Sequence, residues 1–431
     1  MIRLHPIPEY HELCPRCDTA LEPFGWYMPG MRVLARSHCP GCGAEYYGDL
    51  SAGHGLYYPM LLDAATGEVF DRWNVPWFAA WLRESYAERA ATEHGFHVEQ
   101  FRDIERPLLL NCLDRLYGHA LLKLLNAEYY LREHAALDVI VLVPSYLRWM
   151  VPDGVAAVWS VDLPLRDGAA WNDWIAREIG RRLEGFDAPL LSIALSHPHP
   201  DDYSIESFTG VAPFSEERWS TDAAHTVTYI WRDDRLWEDR SFAPLLERGA
   251  LEISRRAGLS RVPRQRDKVV ALADALRREF ADLRFAVAGL GTPGDLPDWI
   301  DDARTATVNA AQEREWCELY ARSGAVIGVH GSNMLLPSAH AGSTFELVWP
   351  TRWGNIVQDL LVRSGDLREA LLAYRNLPIS VKPAELAAIV CAYLRDREGT
   401  MLNLSGAATR HTPETRAAVV ARRDALRRRR G

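Results

Sequence analysis

Apolar residues recur along this chain in two alternating patterns: short continuous runs, and longer stretches at helical spacing. A continuous β-branched run suits a strand buried on both faces, whereas helical spacing marks a surface that packs on such strands. Asp138-Val-Ile-Val-Leu-Val-Pro144, Trp159 to Leu163 and Pro189 to Ser196 predict three strands. Leu113, Leu116, Ala120, Leu121, Leu124 and Leu125 predict a helix over Leu108 to Leu131, and Ala169 to Leu183 predicts another. The alternation then repeats, with a strand at Thr226 to Arg235, an amphipathic helix at Arg264 to Phe280, a strand at Arg284 to Ala288 and a helix at Gln312 to Ser323. Strands alternating with helices imply parallel, doubly wound sheets.

The pattern sharpens at Ala325 to Pro350. The run Ala325 to Val329 breaks into His330-Gly331-Ser332-Asn333, passes a small-residue segment, turns at Gly342 and resumes as Thr344 to Val348. Pro337 is tolerated only in a first helical turn, so strand, loop, helix and strand follow in order. A glycine-containing loop at the carboxyl end of a buried strand, feeding a helix N-terminus, is where an open α/β sheet can cradle a phosphate. Glu346, on the next strand, could accept hydrogen bonds from a ribose or sugar hydroxyl; pairing with Arg352 is the other reading. Gly289-Leu-Gly291 has no third glycine in register and meets Pro293, so it reads as a turn. Beyond Pro350, helices are expected at Ile356 to Tyr374 and Pro383 to Arg397.

With 431 residues the chain has room for two α/β domains and an appendage. Its net charge of −9 argues against general nucleic-acid binding. Only three lysines occur, Lys123, Lys268 and Lys382, so positive charge is carried almost wholly by arginine. The N-terminus lacks the apolar core of a secretory signal, and no apolar run approaches the roughly 20 residues that span a bilayer. Four of the seven cysteines fall in Cys14-Pro-Arg-Cys17 and Cys39-Pro-Gly-Cys42. Two such turns, 21 residues apart, are spaced to bind one tetrahedral Zn2+ in a small N-terminal ribbon. Four thiolates leave no position for water, so the ion would be structural. Metal thiolates rather than disulfides imply a cytoplasmic protein. The basic end, residues 421–431, reads as a solvated tail or as a weak contact for an anionic surface.

His330-Gly331-Ser332, followed by Gly342-Ser343 and Glu346-Leu347, resembles the C-terminal signature of family 61 glycosyltransferases. In that family an HGA-type loop precedes a proline-glycine-serine turn and an acidic residue; here Ser332 replaces the usual alanine, and Asn333-Met334 a glycine-leucine. Tyr117-Gly118-His119-Ala120-Leu121-Leu122 is similar to the family's N-terminal pattern, a His heading a leucine-rich helix. The resemblance implies a GT-B fold of two Rossmann-like domains facing a cleft. The expected layout is a zinc ribbon at 1–50, a connector at 51–107, an acceptor domain at 108–222, a nucleotide-sugar domain at 223–350 and bracing helices with the tail at 351–431.

The resemblance also implies transfer of a sugar from a nucleotide-sugar donor to an acceptor hydroxyl, with inversion and without a metal in the chemical step. Arg232 and Arg235 are the candidate cations for the leaving diphosphate, since a guanidinium can take two phosphate oxygens; a salt bridge to Asp233 or Asp234 is the alternative. His330, Gly331, Ser332, Asn333 and Glu346 complete the donor set. Candidates for the base are His119, which could equally be a satisfied core histidine, and Asp201 and Asp202, which follow a strand of the same domain. His197, His199, Asp201 and Asp202 could also chelate a cation, although the interleaved prolines suggest an extended loop. Two other classes stay open: a zinc-ribbon binding module on an inactive nucleotide-binding scaffold, and an oxidoreductase using Gly289-Leu-Gly291.

Overall fold

The computed structural model describes residues 1–5, 7–215, 218, 225–239, 262–356, 358–363, 367–395, 397, 417, 420, 421, 424 and 428. It is a mixed α/β protein of two compact units, Met1–Phe208 and Thr209–Gly431. The expected boundary between residues 222 and 223 and most of the basic tail lie outside the described residues.

The first unit opens with β1 (Ile2–Arg3). β2 (Glu22–Tyr27), β3 (Leu34–His38), β4 (Glu45–Asp49), β5 (Leu61–Asp63) and β6 (Val69–Phe70) then form an antiparallel sheet in that order. Pairing therefore runs past residue 50, and a turn at Asp63 to Glu68 closes the last hairpin, with Asp63 Oδ1 accepting from the amides of Ala65 and Thr66. β7 (Phe96–Gln100), β8 (Pro107–Asn111), β9 (Asp138–Pro144), β10 (Ala157–Val161) and β11 (Leu190–Leu191) build a second sheet, ordered β1-β11-β8-β9-β10-β7. Its four inner strands are parallel and its edges antiparallel. The segments expected as ribbon and connector share one core with this sheet, since Leu4, Cys14, Met28 and Tyr46 cluster with Leu109, Ile140, Leu142 and Trp159.

Two expectations need correction. Leu108 to Leu131 is not one helix: residues 107–111 form β8, and helices follow at Tyr117–Leu124 and Asn126–Glu133. Leu108, Leu109 and Leu110 are fully buried, and a run buried on both faces of a sheet shows no period that separates it from a buried helix. Ile356 to Tyr374 is not one helix either. Among its described residues a helix covers Leu367–Ala373, and the chain then enters a strand.

In the second unit, β12 (Thr226–Arg232), β13 (Arg284–Leu290), β14 (Asp301–Thr305), β15 (Ala325–Val329), β16 (Thr344–Val348) and β17 (Tyr374–Pro378) form an all-parallel sheet ordered β14-β13-β12-β15-β16-β17. The inner strands are apolar and buried, as a sheet covered on both faces requires. Polar β14 and β17 are the edges, and their composition hid them in the sequence. Helices Val262–Glu279 and Pro383–Arg395 pack on this sheet through Leu272, Leu276, Leu386 and Val390. Read in chain order, the six strands are 3-2-1-4-5-6, the doubly wound order in which the chain reverses direction between its first and fourth strands.

A buried ion pair locks the antiparallel sheet of the first unit to its neighbours. Arg32 Nη1 donates to Asp49 Oδ2 at 2.5 Å, Nη2 donates to Phe78 O at 2.8 Å, and the guanidinium lies 3.7 Å over the Phe78 ring. The Met60 amide donates to the same Asp49 oxygen. Removing one member strands the other charge away from water, so Asp49→Ala is expected to lower unfolding free energy by about 3–5 kcal/mol. Urea denaturation checks this; a loss well under ~1 kcal/mol would mean that Arg32 finds another partner.

Candidate functional site

The two cysteine turns are built alike. The Cys14 amide donates to Thr19 O and the Asp18 amide to Cys14 O; likewise the Cys39 amide donates to Ala44 O and the Gly43 amide to Cys39 O. This brings the four sulfurs within 4.8 Å of one another. Cys14 and Cys42 stand 3.6 Å apart and Cys17 and Cys39 3.4 Å. Those separations are far beyond a disulfide bond of about 2.05 Å. They are close to the about 3.8 Å between thiolates bound tetrahedrally at 2.3 Å. Burial raises the Cys14 thiol, but hydrogen bonds from Tyr46 and the Arg16 and Cys17 amides outweigh it and bring the pKa down to about 6. The donor set fits one metal ion and closes its shell. Arg16, between the first two cysteines, pairs with buried Asp63 at 2.6 Å and fixes that turn to β5.

In the six-stranded sheet of the first unit the chain reverses between β8 and β11, and the carboxyl ends of the strands at such a point are where open α/β sheets hold ligands. Four polar side chains meet there. Asp114, three residues past β8, is wholly buried; Lys123 Nζ donates to its Oδ2 at 2.7 Å and to Leu113 O at 3.0 Å. His119, in the first turn of Tyr117–Leu124, has Nδ1 3.5 Å from Asp114 Oδ1 and 3.0 Å from His54 Nε2. His119 Nε2 has no hydrogen-bond partner among the described residues. His54 comes from the short turn Gly53–Leu56, held by the Gly53 amide on Ile193 O just past β11.

Flanking glycines let that turn come close. Gly53 has φ 56°, and a Cβ on it would stand 3.3 Å from Lys123 Cε; a Cβ on Gly55 would stand 2.5 Å from Leu50 O. Phe78 and Trp77 wall His54, with ring centroids 5.4 and 5.9 Å away.

The charges here are set by burial and partners together. Burial alone would raise the Asp114 carboxyl, but the Lys123 ammonium and the hydrogen bond from His119 outweigh it and hold the pKa far below the carboxylate range. Burial pushes His54 down to about 3 against the pull of Asp114, and Lys123 adds to the push. The set is thus a carboxylate matched by an ammonium, beside a neutral imidazole. His54, Asp114 and His119 also bring three ligand-type atoms within 4.8 Å of one another. With Lys123 on the same carboxylate the charge is already balanced, so the arrangement suits proton transfer better than a cation.

The other two candidate bases lie elsewhere in this unit. Asp201 is exposed, its amide donates to His199 Nδ1, and its carboxylate lies 3.5 Å from that ring; Asp202 faces Arg132 at 3.4 Å. Neither belongs to the group around His119, and His197, His199, Asp201 and Asp202 do not converge as metal ligands.

In the second unit the reversal lies between β12 and β15, and the predicted donor residues sit at or just past those two strand ends, except Glu346, which lies within β16. Arg232, the last residue of β12, makes a two-point ion pair with Asp234 at 2.8 Å, and Asp233 accepts from the Trp231 indole instead. Arg235 turns into the loop after β15 and donates from Nη1 to His330 O at 2.8 Å. Gly331 makes room for it: its φ is 148°, and a Cβ there would stand 1.0 Å from Arg235 Nη1. Burial lowers the pKa of Arg235, Arg232 adds to that, and Asp359 and Asp234 oppose it; no described carboxylate forms an ion pair with this guanidinium.

His330 is buried between two carboxylates, with Nδ1 3.0 Å from Glu346 Oε2 and Nε2 3.1 Å from Asp359 Oδ2. Neither contact meets the geometry of a hydrogen bond, and the ring nitrogens and both Glu346 oxygens are buried without such partners among the described residues. Glu346 therefore faces His330 rather than Arg352, and burial raises its pKa despite the neighbouring imidazole. Half-buried Ser332 and Asn333 start the turn Ser332–Met334, and Asn333 Nδ2 donates to Val329 O. Gly289 and Gly291 are glycines because Trp231 crowds them: added Cβ atoms would stand 2.3 Å from its carbonyl oxygen and 2.5 Å from its ring.

Sequence reasoning missed His54, Asp114, Lys123 and Asp359. The one available signal was Asp114 five residues before His119, at the end of an unrecognised strand.

No protein-family model and no curated protein matches the chain. Among solved structures it is similar to E. coli ADP-heptose lps heptosyltransferase II, at 10% identity and a TM-score of 0.35, over 68% of this chain and 100% of that one. A likeness at that level carries nothing about the chemistry of this chain. Among the described residues no helix is long and apolar enough to cross a membrane.

Two measurements check the site. Elemental analysis of the purified chain is expected to give one metal ion per chain, lost on Cys14→Ser or Cys39→Ser together with several degrees of melting temperature; intact stability without metal would exclude a structural ion. His54 has a folded-state pKa of about 3 against an ordinary 6.5, so its contribution to stability is present above 6.5 and is lost as pH falls toward 3. His54→Phe should flatten the pH dependence of the unfolding free energy measured in urea in that window, by up to about 1.4 kcal/mol per pH unit. An unchanged slope would mean that His54 is not held neutral.

Proposed function

We propose that this chain is a glycosyltransferase that moves a sugar from a nucleotide-sugar donor to an acceptor hydroxyl, with inversion and no metal ion in the chemical step. In this reading the four cysteines hold a structural Zn2+. One observation carries the proposal: each of the two six-stranded sheets reverses its strand order beside a cluster suited to one half of such a reaction. Beside β8 it is a histidine backed by a buried carboxylate; beside β12 and β15 it is a guanidinium, without a carboxylate partner among the described residues, lying over a glycine. The two family 61-like motifs, Tyr117-Gly118-His119 and His330-Gly331-Ser332, fall at the same two places.

His119 Nε2 takes the proton of the acceptor hydroxyl as that oxygen bonds to the anomeric carbon. The bond from that carbon to the diphosphate oxygen breaks, and its electron pair leaves on the diphosphate. Arg235 and Arg232 meet the charge that develops there, Arg232 by exchanging Asp234 for phosphate oxygens. Glu346 and Asp359 hold the His330 ring and with it the loop His330-Gly331-Ser332-Asn333. Asp201 and Asp202 are the alternative bases.

A thermal-shift screen of nucleoside diphosphates and nucleotide sugars, followed by assay of diphosphate release, tests the proposal. At least one compound should stabilise the chain, and Gly331→Ala should weaken that effect by displacing Arg235. His119→Ala should keep binding and lose about 10²–10⁴-fold in turnover. Binding without turnover, indifferent to His119→Ala and Asp201→Ala, would identify a binding module on an inactive scaffold. Absence of any binding would sink both.

A further inference from the structure

We infer that His54 is a positioning residue: together with Asp114 it keeps the proton of neutral His119 on Nδ1, so that Nε2 is the nitrogen left to accept a proton. The inference rests on the glycosyl-transfer reading for its purpose, but its geometry is independent of it.

A single proton lies between the two rings, whose facing nitrogens are 3.0 Å apart. It can sit on His119 Nδ1 or on His54 Nε2, and Asp114 decides between them. Its Oδ2 is occupied by Lys123 at 2.7 Å and lies 3.9 Å from His54 Nε2, whereas its Oδ1 lies 3.5 Å from His119 Nδ1. A proton on His119 Nδ1 faces two acceptors, the His54 lone pair and the Asp114 oxygen. A proton on His54 would instead leave the His119 lone pair against a carboxylate oxygen. Neutral His54 then carries its own proton on Nδ1 and presents only a lone pair to His119.

His54 cannot easily take a second proton or turn away. Burial disfavours its charged form, and the charged and titratable groups facing it are Asp114, Lys123 and His119 from the β8 side and Arg32 from the antiparallel sheet. Arg32 is itself tied to Asp49. Gly53 and Gly55 hold the turn close, and Trp77 and Phe78 wall the ring. When His119 Nε2 accepts a proton, the Nδ1 proton stays in place, and the imidazolium that forms is stabilised by Asp114 without moving a further proton.

The test is the tautomer of His119, read from long-range proton–nitrogen correlation spectra of the full chain labelled with ¹⁵N-histidine at pH 8. The resonance is assigned with His119→Gln. The wild type is expected to show the Nδ1–H form. His54→Phe, which keeps a ring but offers no acceptor, should shift His119 toward a mixture of tautomers. His54→Gln, which restores an acceptor, should return it toward Nδ1–H. Circular dichroism and melting temperature identify a variant that fails to fold, in which case the wild-type and His54→Gln spectra decide. An Nε2–H tautomer in the wild type, or one indifferent to His54→Phe in a folded variant, overturns the inference.

In turnover, His54→Phe should cost about tenfold or more in kcat at nearly constant KM, with the acid limb of the pH profile displaced, and His54→Gln should recover part of it. The spectra report on the rings whether or not the chain transfers sugar. An Nδ1–H tautomer in a protein that binds no nucleotide would therefore defeat the glycosyl-transfer reading and leave this inference standing.

Discussion

A carboxylate with no exposure to water can stay ionised only if its surroundings replace the water it lost, and Asp114 sets that condition for the whole first unit. Lys123 answers it from one side, and to do so the lysine must itself be buried along the helix Tyr117–Leu124. That fixes how the helix sits against β8, and so where His119 comes to rest on the second carboxylate oxygen. The turn carrying His54 comes close to this group with Gly53 at a positive φ of 56° and with no side chain where the Lys123 stem passes. The antiparallel sheet and the parallel sheet are therefore joined by more than apolar contact, because a residue from the first completes a polar cluster at the chain reversal of the second.

The second unit solves a related problem with the opposite outcome. At its reversal point the half-buried cation Arg235 gains a backbone carbonyl, His330 O, rather than a described carboxylate. The carboxylates nearby are used on the imidazole instead, one on each ring nitrogen of His330. A guanidinium held by a neutral acceptor retains most of its capacity for an anion. Gly331 is the residue that permits this, since any side chain at its φ would be strained and would occupy the place of the guanidinium. The loop is thus better described as a seat for an arginine than as a ring of free amides.

How much of this was legible in the sequence follows from the same physics. The β-branched strands β9, β12, β15 and β16 announced themselves by composition, and the paired cysteine turns by spacing, because both are local properties. His119 and the His330-Gly331 loop stood out because each interrupts an apolar pattern. β8 was missed because Leu108, Leu109 and Leu110 are buried on both faces and carry no period, and with β8 unseen, Asp114 had no strand end to mark it. His54 was beyond reach for a different reason. It joins His119 across 65 positions of sequence, through a turn whose importance lies in two glycines and their distance from Lys123. Polar edge strands such as β14 and β17 escaped because an edge need not be apolar on both faces.

The same balance argues for reading the His119 cluster as proton chemistry. A divalent ion placed among His54, Asp114 and His119 would sit next to a carboxylate that already carries an ammonium 2.7 Å away. Two positive charges in addition to that ammonium would then rest on a single carboxylate, and Lys123 cannot retreat, being buried and bound to Leu113 O as well. A proton makes no such demand. One added to His119 Nε2 places its charge on a ring whose other nitrogen faces Asp114, so the cluster accepts it without rearranging the pair that holds the unit together. A histidine so placed has Asp114 and His54 on Nδ1 and no partner for Nε2 among the described residues, which is the arrangement the proposed base requires.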